Sequence, residues 1–227
     1  MTRLEDLVAE WDVPEQGRRA LQRFLDLLAA DEHAPTTVRD PESAVDAHVA
    51  DALSGLAVPE LAEARLVADL GAGAGVPGLI LAAARPAMTV VEVESAGRKC
   101  AFMEHAITAM ELRNAEVVNA RTEEWEAGRE RCEAVTARAL APLPVLVEYA
   151  APLLAPGGVL VAWKGAPEDA EVADGDHAAS VLGLEPAGVV GVPPFPGADR
   201  RRLYVYRRVG SVPNGYPRRT GMSRKRP

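Results

Sequence analysis

Strand-sized apolar runs alternating with helical stretches of about ten to fifteen residues predict a doubly wound, mostly parallel α/β sheet of seven strands behind a helical amino-terminal extension. Two observations carry that expectation. From Arg65 onward the apolar period changes from helical to strand-like, and the first such run, Leu66–Leu70, leads into the glycine cluster Asp69-Leu-Gly71-Ala-Gly73-Ala-Gly75-Val-Pro-Gly78. A glycine-rich bend at the carboxyl end of the first strand marks the ligand crevice of such a sheet.

The elements follow in order. Residues 1–60 read as the helical extension. Pro14-Glu15 opens a helix with Ala20, Leu21, Phe24, Leu25, Leu27 and Leu28 at helical spacing, and Pro41-Glu42 opens a second with Val45, Val49, Leu53 and Leu56 on one face. His48 and Asp51, three apart on that helix, read as an ordinary surface pair. Residues 61–209 form the sheet domain, with strands expected at Leu66–Leu70, Thr89–Glu94, Ala115–Asn119, Ala134–Ala137 and Val159–Trp163. Helices are expected at Leu79–Arg85, through Lys99, Phe102, Met103 and Ile107, and at Pro144–Leu154; Pro156-Gly157-Gly158 makes a tight turn. Val189-Val190 and Leu203–Tyr206 complete the sheet as a terminal hairpin, and residues 210–227 form a basic tail.

Composition narrows the class. Of 227 residues, 48% are apolar and 26% charged, as in ordinary soluble globular chains. Cys100 and Cys132 stand far apart with no metal-binding spacing, which argues against a disulfide scaffold or a cysteine-built zinc site, and no metal is expected. Met1–Glu10 is acidic and amphipathic rather than a signal peptide, and prolines interrupt the apolar tract Ala139–Trp163, so no membrane span is expected. A monomer in a reducing cytoplasm is the default reading. The net charge of −8 hides an asymmetry: residues 200–227 hold nine arginines, one lysine and no acid, a block of +10 that leaves −18 on residues 1–199. An acidic body with a basic end suits a polyanion-binding arm as well as it suits a solubilising terminus.

The glycine cluster is not a phosphate-binding P-loop, because no Gly-Lys-Ser/Thr follows. Gly73, Gly75 and Gly78 fit a dinucleotide fingerprint but start two residues beyond the strand end. Counted from that end, the pattern is an acid, Asp69, followed by Gly71, Gly73 and Gly75, with Glu92 and Glu94 near the end of the second strand. Carboxylates there suit a ribose diol and the cationic sulfur of S-adenosylmethionine, and repel the phosphates of a dinucleotide.

Further motifs occur in one order: His48-Val-Ala-Asp51, Gly75-Val-Pro-Gly78, Glu94-Ser-Ala-Gly-Arg-Lys99, Arg121-Thr-Glu-Glu124, Thr136-Ala-Arg138-Ala, Trp163-Lys164-Gly165 and Asn214-Gly-Tyr-Pro-Arg-Arg-Thr-Gly221 before Lys225-Arg-Pro. Together they resemble the bacterial ribosomal RNA small-subunit methyltransferase G family, also called glucose-inhibited division protein B, from about residue 45 to the end. The resemblance implies a Rossmann-like, class I S-adenosylmethionine-dependent methyltransferase. Its substrate would be N7 of one guanine in the 530 loop of 16S ribosomal RNA, met as RNA or in the small ribosomal subunit particle. It also implies cofactor contacts at Gly71 and Val76 of the glycine loop, Thr122 and Glu123 after the third strand, and Arg138 closing the fourth. Glu94 falls where the family usually has Asp. Asp69, Gly73 and Gly75 are further candidates from the loop itself.

Guanine N7 presents an in-plane lone pair and no proton, so methyl transfer needs alignment rather than a general base. That agrees with the absence of a Ser-His-Asp pattern, and no residue is assigned as acid or base. Arg138, with its planar donor fork, is the candidate for orienting cofactor or substrate, and Arg138→Ala is expected to lose methyl transfer. The base must also be unstacked to enter the crevice. Arg200, Arg201, Arg202, Arg218, Arg219, Arg224, Lys225 and Arg226 are the expected RNA-backbone contacts. Cutting after Val209 is accordingly expected to weaken RNA binding and leave cofactor binding nearly intact. Tyr204, Tyr206 and Tyr216 read as half-buried sheet residues before they read as base-stacking ones. Three competing readings stay open on the sequence: the same fold acting on a small molecule or protein, an NAD-dependent oxidoreductase using Gly73, Gly75 and Gly78, and a non-catalytic RNA-binding module.

Overall fold

The computed structural model describes residues 2–192, 195, 200–219 and 221–225. A seven-stranded sheet runs β3-β2-β1-β4-β5-β7-β6, where β1 is Leu66–Leu70, β2 Thr89–Glu94, β3 Ala115–Asn119, β4 Cys132–Arg138, β5 Leu154–Lys164, β6 Leu184–Gly191 and β7 Arg202–Arg208. The first five strands are parallel; β7 enters antiparallel between β5 and β6. Strand order reverses between β1 and β4, so the glycine cluster after β1 opens at the switch point of the sheet.

Strand alternation divides the core into two layers. Val67, Val90, Ala134, Val161 and Trp163 face one side, packed under α2 (Glu15–Ala30), α6 (Gly78–Ala84) and α7 (Gly97–Met110). Ala68, Val91, Val135, Leu160 and Tyr206 face the other, under α8 (Leu143–Ala150) and α9 (Asp169–Val181). Tyr204 and Tyr206 are buried in that second layer, and Tyr206 donates to Asp176 Oδ1 at 3.0 Å.

Several elements differ from expectation for identifiable reasons. The helix α9 has no apolar stripe to announce it, because its buried face is built from Gly175 and Ala179 rather than large side chains. The helix predicted to Leu154 stops at Ala150, two residues before the helix-terminating Pro152. The strand β5 starts earlier than expected, with Leu154 beside Cys132 and a register shift absorbing the Pro156-Gly157-Gly158 turn. Ahead of the sheet, α1 (Arg3–Glu10) begins with a reciprocal Thr2–Glu5 capping box.

The second expected helix is the largest departure. It breaks into α3 (Pro41–Ala44), a π-helical turn at Val45–Ala50, α4 (Asp51–Leu53) and a 3₁₀ turn at Ser54–Ala57, before α5 (Pro59–Ala62). Asp51, which follows the π-helical turn, is fully buried rather than on the surface. Its Oδ2 accepts from Arg138 Nη1 at 2.8 Å, its Oδ1 from Arg201 Nε at 2.8 Å, and its main-chain oxygen from Trp163 Nε1 at 2.8 Å. His48 is buried as well; its Nε2 lies 3.2 Å from Thr36 Oγ1 and 2.9 Å from the Val38 oxygen. The Asp51 carboxylate thus ties the helical extension to the end of β4 and to the residue before β7, and its main-chain oxygen ties it to β5. Replacing Asp51 by Ala strands two guanidiniums and is expected to cost about 3 kcal/mol, the low end for a broken buried pair because both keep some water contact. The midpoint of urea unfolding measures it.

Candidate active site

The site grows out of the last residues of β1. Gly71 and Gly73 both sit at φ +64°, a left-handed backbone that favours glycine, and let the chain double back before α6. The Gly71 N–H donates to the Val93 oxygen at 2.8 Å, and the Gly73 N–H to Glu94 Oε2 at 3.3 Å, so the loop is strung between β1 and β2. Beneath it, buried Asp69 accepts from the Gly78 N–H at 3.0 Å (Oδ2) and from Thr136 Oγ1 at 2.8 Å (Oδ1). Glu92 stands beside Asp69 in register, on the same face and fully buried. Burial raises the pKa of both carboxyls above the ordinary range, and the Asp69 charge raises Glu92 further.

Glu94, two residues on, has a different environment. It accepts from the Ala96 N–H at 2.8 Å, pairs with Lys99 Nζ at 3.5 Å, and borders a cavity of about 430 Å³ at the carboxyl edge of the sheet. Gly71, Glu94, Thr122 and Glu123, all expected from the sequence, meet in this one cavity. The cavity also takes walls that sequence reasoning missed: Ser95, Ala96 and Lys99 at the start of α7, Ala139 and Leu140 after β4, Tyr149 of α8, and Gly221 of the tail. The Glu94-to-Lys99 run carried a signal for the first group. Tyr149 gave none, since it reads as one more apolar position of a helix.

Other expected residues lie elsewhere. Val76 is buried in the first core layer behind the loop, and Gly75, at φ +82°, shapes the turn before it. Neither borders the cavity. Arg138 is held by Asp51 and by the Ala47 oxygen at 2.9 Å.

The basic end is not a free arm. Arg201 pairs with Asp51, Arg207 with Glu60, Arg208 with Glu130, and Arg218 with Glu148 of α8. Burial alone would raise the Glu148 pKa, but Arg218 holds it below the usual carboxylate range. The Gly221 N–H donates to Glu123 Oε1 at 3.3 Å, so the tail reaches the cavity wall. Arg200, Arg202 and Arg219 are exposed, Arg224 and Lys225 lie in the short helix α10 (Met222–Lys225), and Arg226 lies outside the described residues.

A profile of the GidB family, described as rRNA small subunit methyltransferase G, matches residues 18–195. A Ribosomal RNA small subunit methyltransferase G from Rubrobacter xylanophilus is 41% identical over 91% of this chain and 82% of its own length. Another from Chloroflexus aggregans is 37% identical over 99% and 96%. The chain belongs to this family. Membership makes it an S-adenosylmethionine-dependent methyltransferase of ribosomal RNA. The fold agrees: the Methanococcus jannaschii fibrillarin pre-rRNA processing protein superposes with a TM-score of 0.57 at 19% identity, covering 71% of this chain and 74% of its own. M. jannaschii TYW2, solved in complex with AdoMet, gives 0.54 at 13% identity, covering 69% and 74%.

The residues present fit that cofactor. A buried carboxylate, Glu94, rims a cavity of nucleoside size, and the backbone beside Gly73 is open to close approach. The dinucleotide alternative meets the opposite condition. The Gly78 N–H at the start of α6, where a pyrophosphate would sit, is occupied by Asp69, with Glu92 packed against Gly78. Glu94→Ala is expected to weaken S-adenosylhomocysteine binding by about 10- to 100-fold, the worth of hydrogen bonds to a charged group, read by calorimetric titration. Truncation after Val209, expected from the sequence alone to spare cofactor binding, removes Gly221 from the wall and is instead expected to weaken it in the same assay.

Proposed function

We propose that the enzyme methylates N7 of a guanine in the 530 loop of 16S ribosomal RNA, acting in the cytoplasm as a monomer on RNA or on the small-subunit particle. The observation that supports this reading is the ionisable lining of the cavity. Glu94 is tied to Lys99 and to backbone N–H groups, Glu123 holds Gly221, and no histidine lines the cavity among the described residues. A nucleophile that carries its own lone pair and no proton suits such a site, because alignment is then the main demand.

When bound, S-adenosylmethionine supplies an electrophilic methyl carbon on a cationic sulfur. Of the residues that line the cavity, Glu94 would accept from the ribose hydroxyls, and Thr122 and Glu123 would hold the adenine end. Gly71 and Gly73 let the backbone approach, and Val76 supports their loop from behind. Asp69 and Gly75 fix the loop's shape from within. Among the described residues the hydrogen bonds of Arg138 use Nη1 alone, which leaves Nε and Nη2 for the cofactor carboxylate or guanine O6. Because β7 runs antiparallel, its first residue, Arg202, pairs with Lys164 at the end of β5, so exposed Arg200 and Arg202 stand on the same edge of the sheet as the cavity. They and Arg219, with Arg224, Lys225 and Arg226 beyond, are the cations suited to the RNA backbone. Arg201 and Arg218 serve mainly as internal clamps.

The deciding experiment incubates the protein with labelled cofactor and small-subunit RNA lacking the modification, then maps the acceptor nucleotide by the chemical lability of N7-methylguanosine. Label on that one guanine is expected; label on a protein, a small molecule or another nucleotide overturns the proposal. Arg200→Ala with Arg202→Ala is expected to flatten the logarithmic salt dependence of RNA binding by about 0.7 to 0.9 for each phosphate no longer neutralised, with S-adenosylhomocysteine affinity unchanged. Arg138→Ala is expected to abolish transfer while the urea midpoint shows a folded protein.

A further inference from the structure

We propose that Glu92 is held as a neutral carboxylic acid that donates its proton to a hydrogen bond with Asp69, and that this bond keeps the glycine loop in its cofactor-binding shape. The proposal rests on cofactor binding at the cavity described above and is independent of which nucleotide is methylated.

Glu92 is fully buried, and among the described residues neither of its side-chain oxygens receives a hydrogen bond. An unpaired carboxylate in such a place carries a heavy desolvation cost, which a proton on the carboxyl removes. The surroundings leave one partner for that proton. On one side β3 places Val117 next to Glu92 in register; above, α6 presents the bare backbone of Gly78, so close that a Cβ there would collide with the Glu92 carboxyl. On the other side stands Asp69, its register neighbour in β1, whose charge raises the Glu92 carboxyl beyond what burial does. Arg138, at the end of β4, reaches Asp69 through its charge and makes no hydrogen bond to it among the described residues.

Two adjacent buried carboxyls cannot both be ionised, so the pair keeps one proton. Asp69 accepts from Gly78 and Thr136, which favours its charged form; Glu92 accepts from nothing, so the proton resides on Glu92. The O–H then points at the Asp69 carboxylate and fixes the rotamer that holds the Gly78 N–H. Removing that proton would set a second negative charge against Asp69, pull the carboxylate off Gly78 and loosen residues 71–78. Glu92 does not border the cavity; it is a positioning residue acting through Asp69.

The test compares wild type, Glu92→Gln, which keeps a donor without a charge, and Glu92→Leu, which keeps the volume without a donor. S-adenosylhomocysteine affinity is measured by calorimetry from near-neutral to alkaline pH, and melting temperature is followed without ligand. At neutral pH the Gln variant is expected to match wild type within about twofold and the Leu variant to bind about tenfold more weakly, the scale of one hydrogen bond to a charged group. On raising the pH, wild type is expected to lose affinity relative to Gln; the ligand's own titration is common to all three proteins and cancels.

Stability follows the same sign, because the carboxyl pKa is raised in the folded protein. The folded state binds more protons than the unfolded one above the ordinary carboxylate range, so wild type loses stability as pH rises and Gln does not. The gap in melting temperature should therefore widen in favour of Gln. A Gln variant as weak as Leu, a Leu variant as tight as wild type, or pH profiles of wild type and Gln that superimpose would each overturn the proposal. Binding by none of the three, with the melting-temperature gap intact, would instead overturn the assignment of the cavity.

Discussion

A carboxyl group buried at the end of the first strand is the constraint around which this enzyme is arranged. Asp69 is removed from water where the sheet changes strand order, and it satisfies that burial only by gathering donors from other elements. Gly78 supplies one from the start of α6 and Thr136 supplies another from β4. The loop between Asp69 and Gly78 must then pass over its own anchor, which requires left-handed glycines at 71, 73 and 75. The cavity lined by Gly71 and Glu94 lies beside this detour at the carboxyl edge. Its other walls come from elements far apart in the chain, brought there by the sheet topology.

A second buried carboxylate, Asp51, does the corresponding work for the helical extension. It accepts from arginines at 138 and 201, so three parts of the chain separated by tens of residues converge on one group. Much of the positive charge in the last thirty residues is committed in this way. Arg207, Arg208 and Arg218 each find an acid on the body, and Arg218 brings the tail to the cavity wall. Arginine suits these duties because its planar fork engages a carboxylate with two donors and stays charged when partly buried.

The alternation of strands and helices, the boundaries of β1, β2 and β3, and the glycine bend were legible in the sequence because each depends on local pattern. Gly71, Glu94, Thr122 and Glu123 could be placed in one site because strand ends and following loops of a doubly wound sheet converge on its carboxyl edge. What could not be read depends on contacts between distant residues. His48 and Asp51 carry no mark that distinguishes a surface pair from a buried anchor; only the arrival of Arg138, Arg201 and Trp163 decides it. Glu92 and Glu94 look alike in a strand, yet one faces the cavity and the other lies sealed under a helix. The helix α9 was missed because glycine and alanine pack closely without leaving an apolar signature, and Tyr149 and Gly221 join the cavity by topology alone.

The imbalance between a body of net negative charge and a basic carboxyl end has a directional consequence. The net charge of residues 1–199 opposes a polyanion, while the exposed arginines at 200 and 202 stand on the same edge of the sheet as the cavity. Surplus acidity then acts as a guide rail: by making the wrong orientations costly, it leaves the productive one as the path of least resistance, so few attractive contacts are needed to dock a long nucleic acid the right way round.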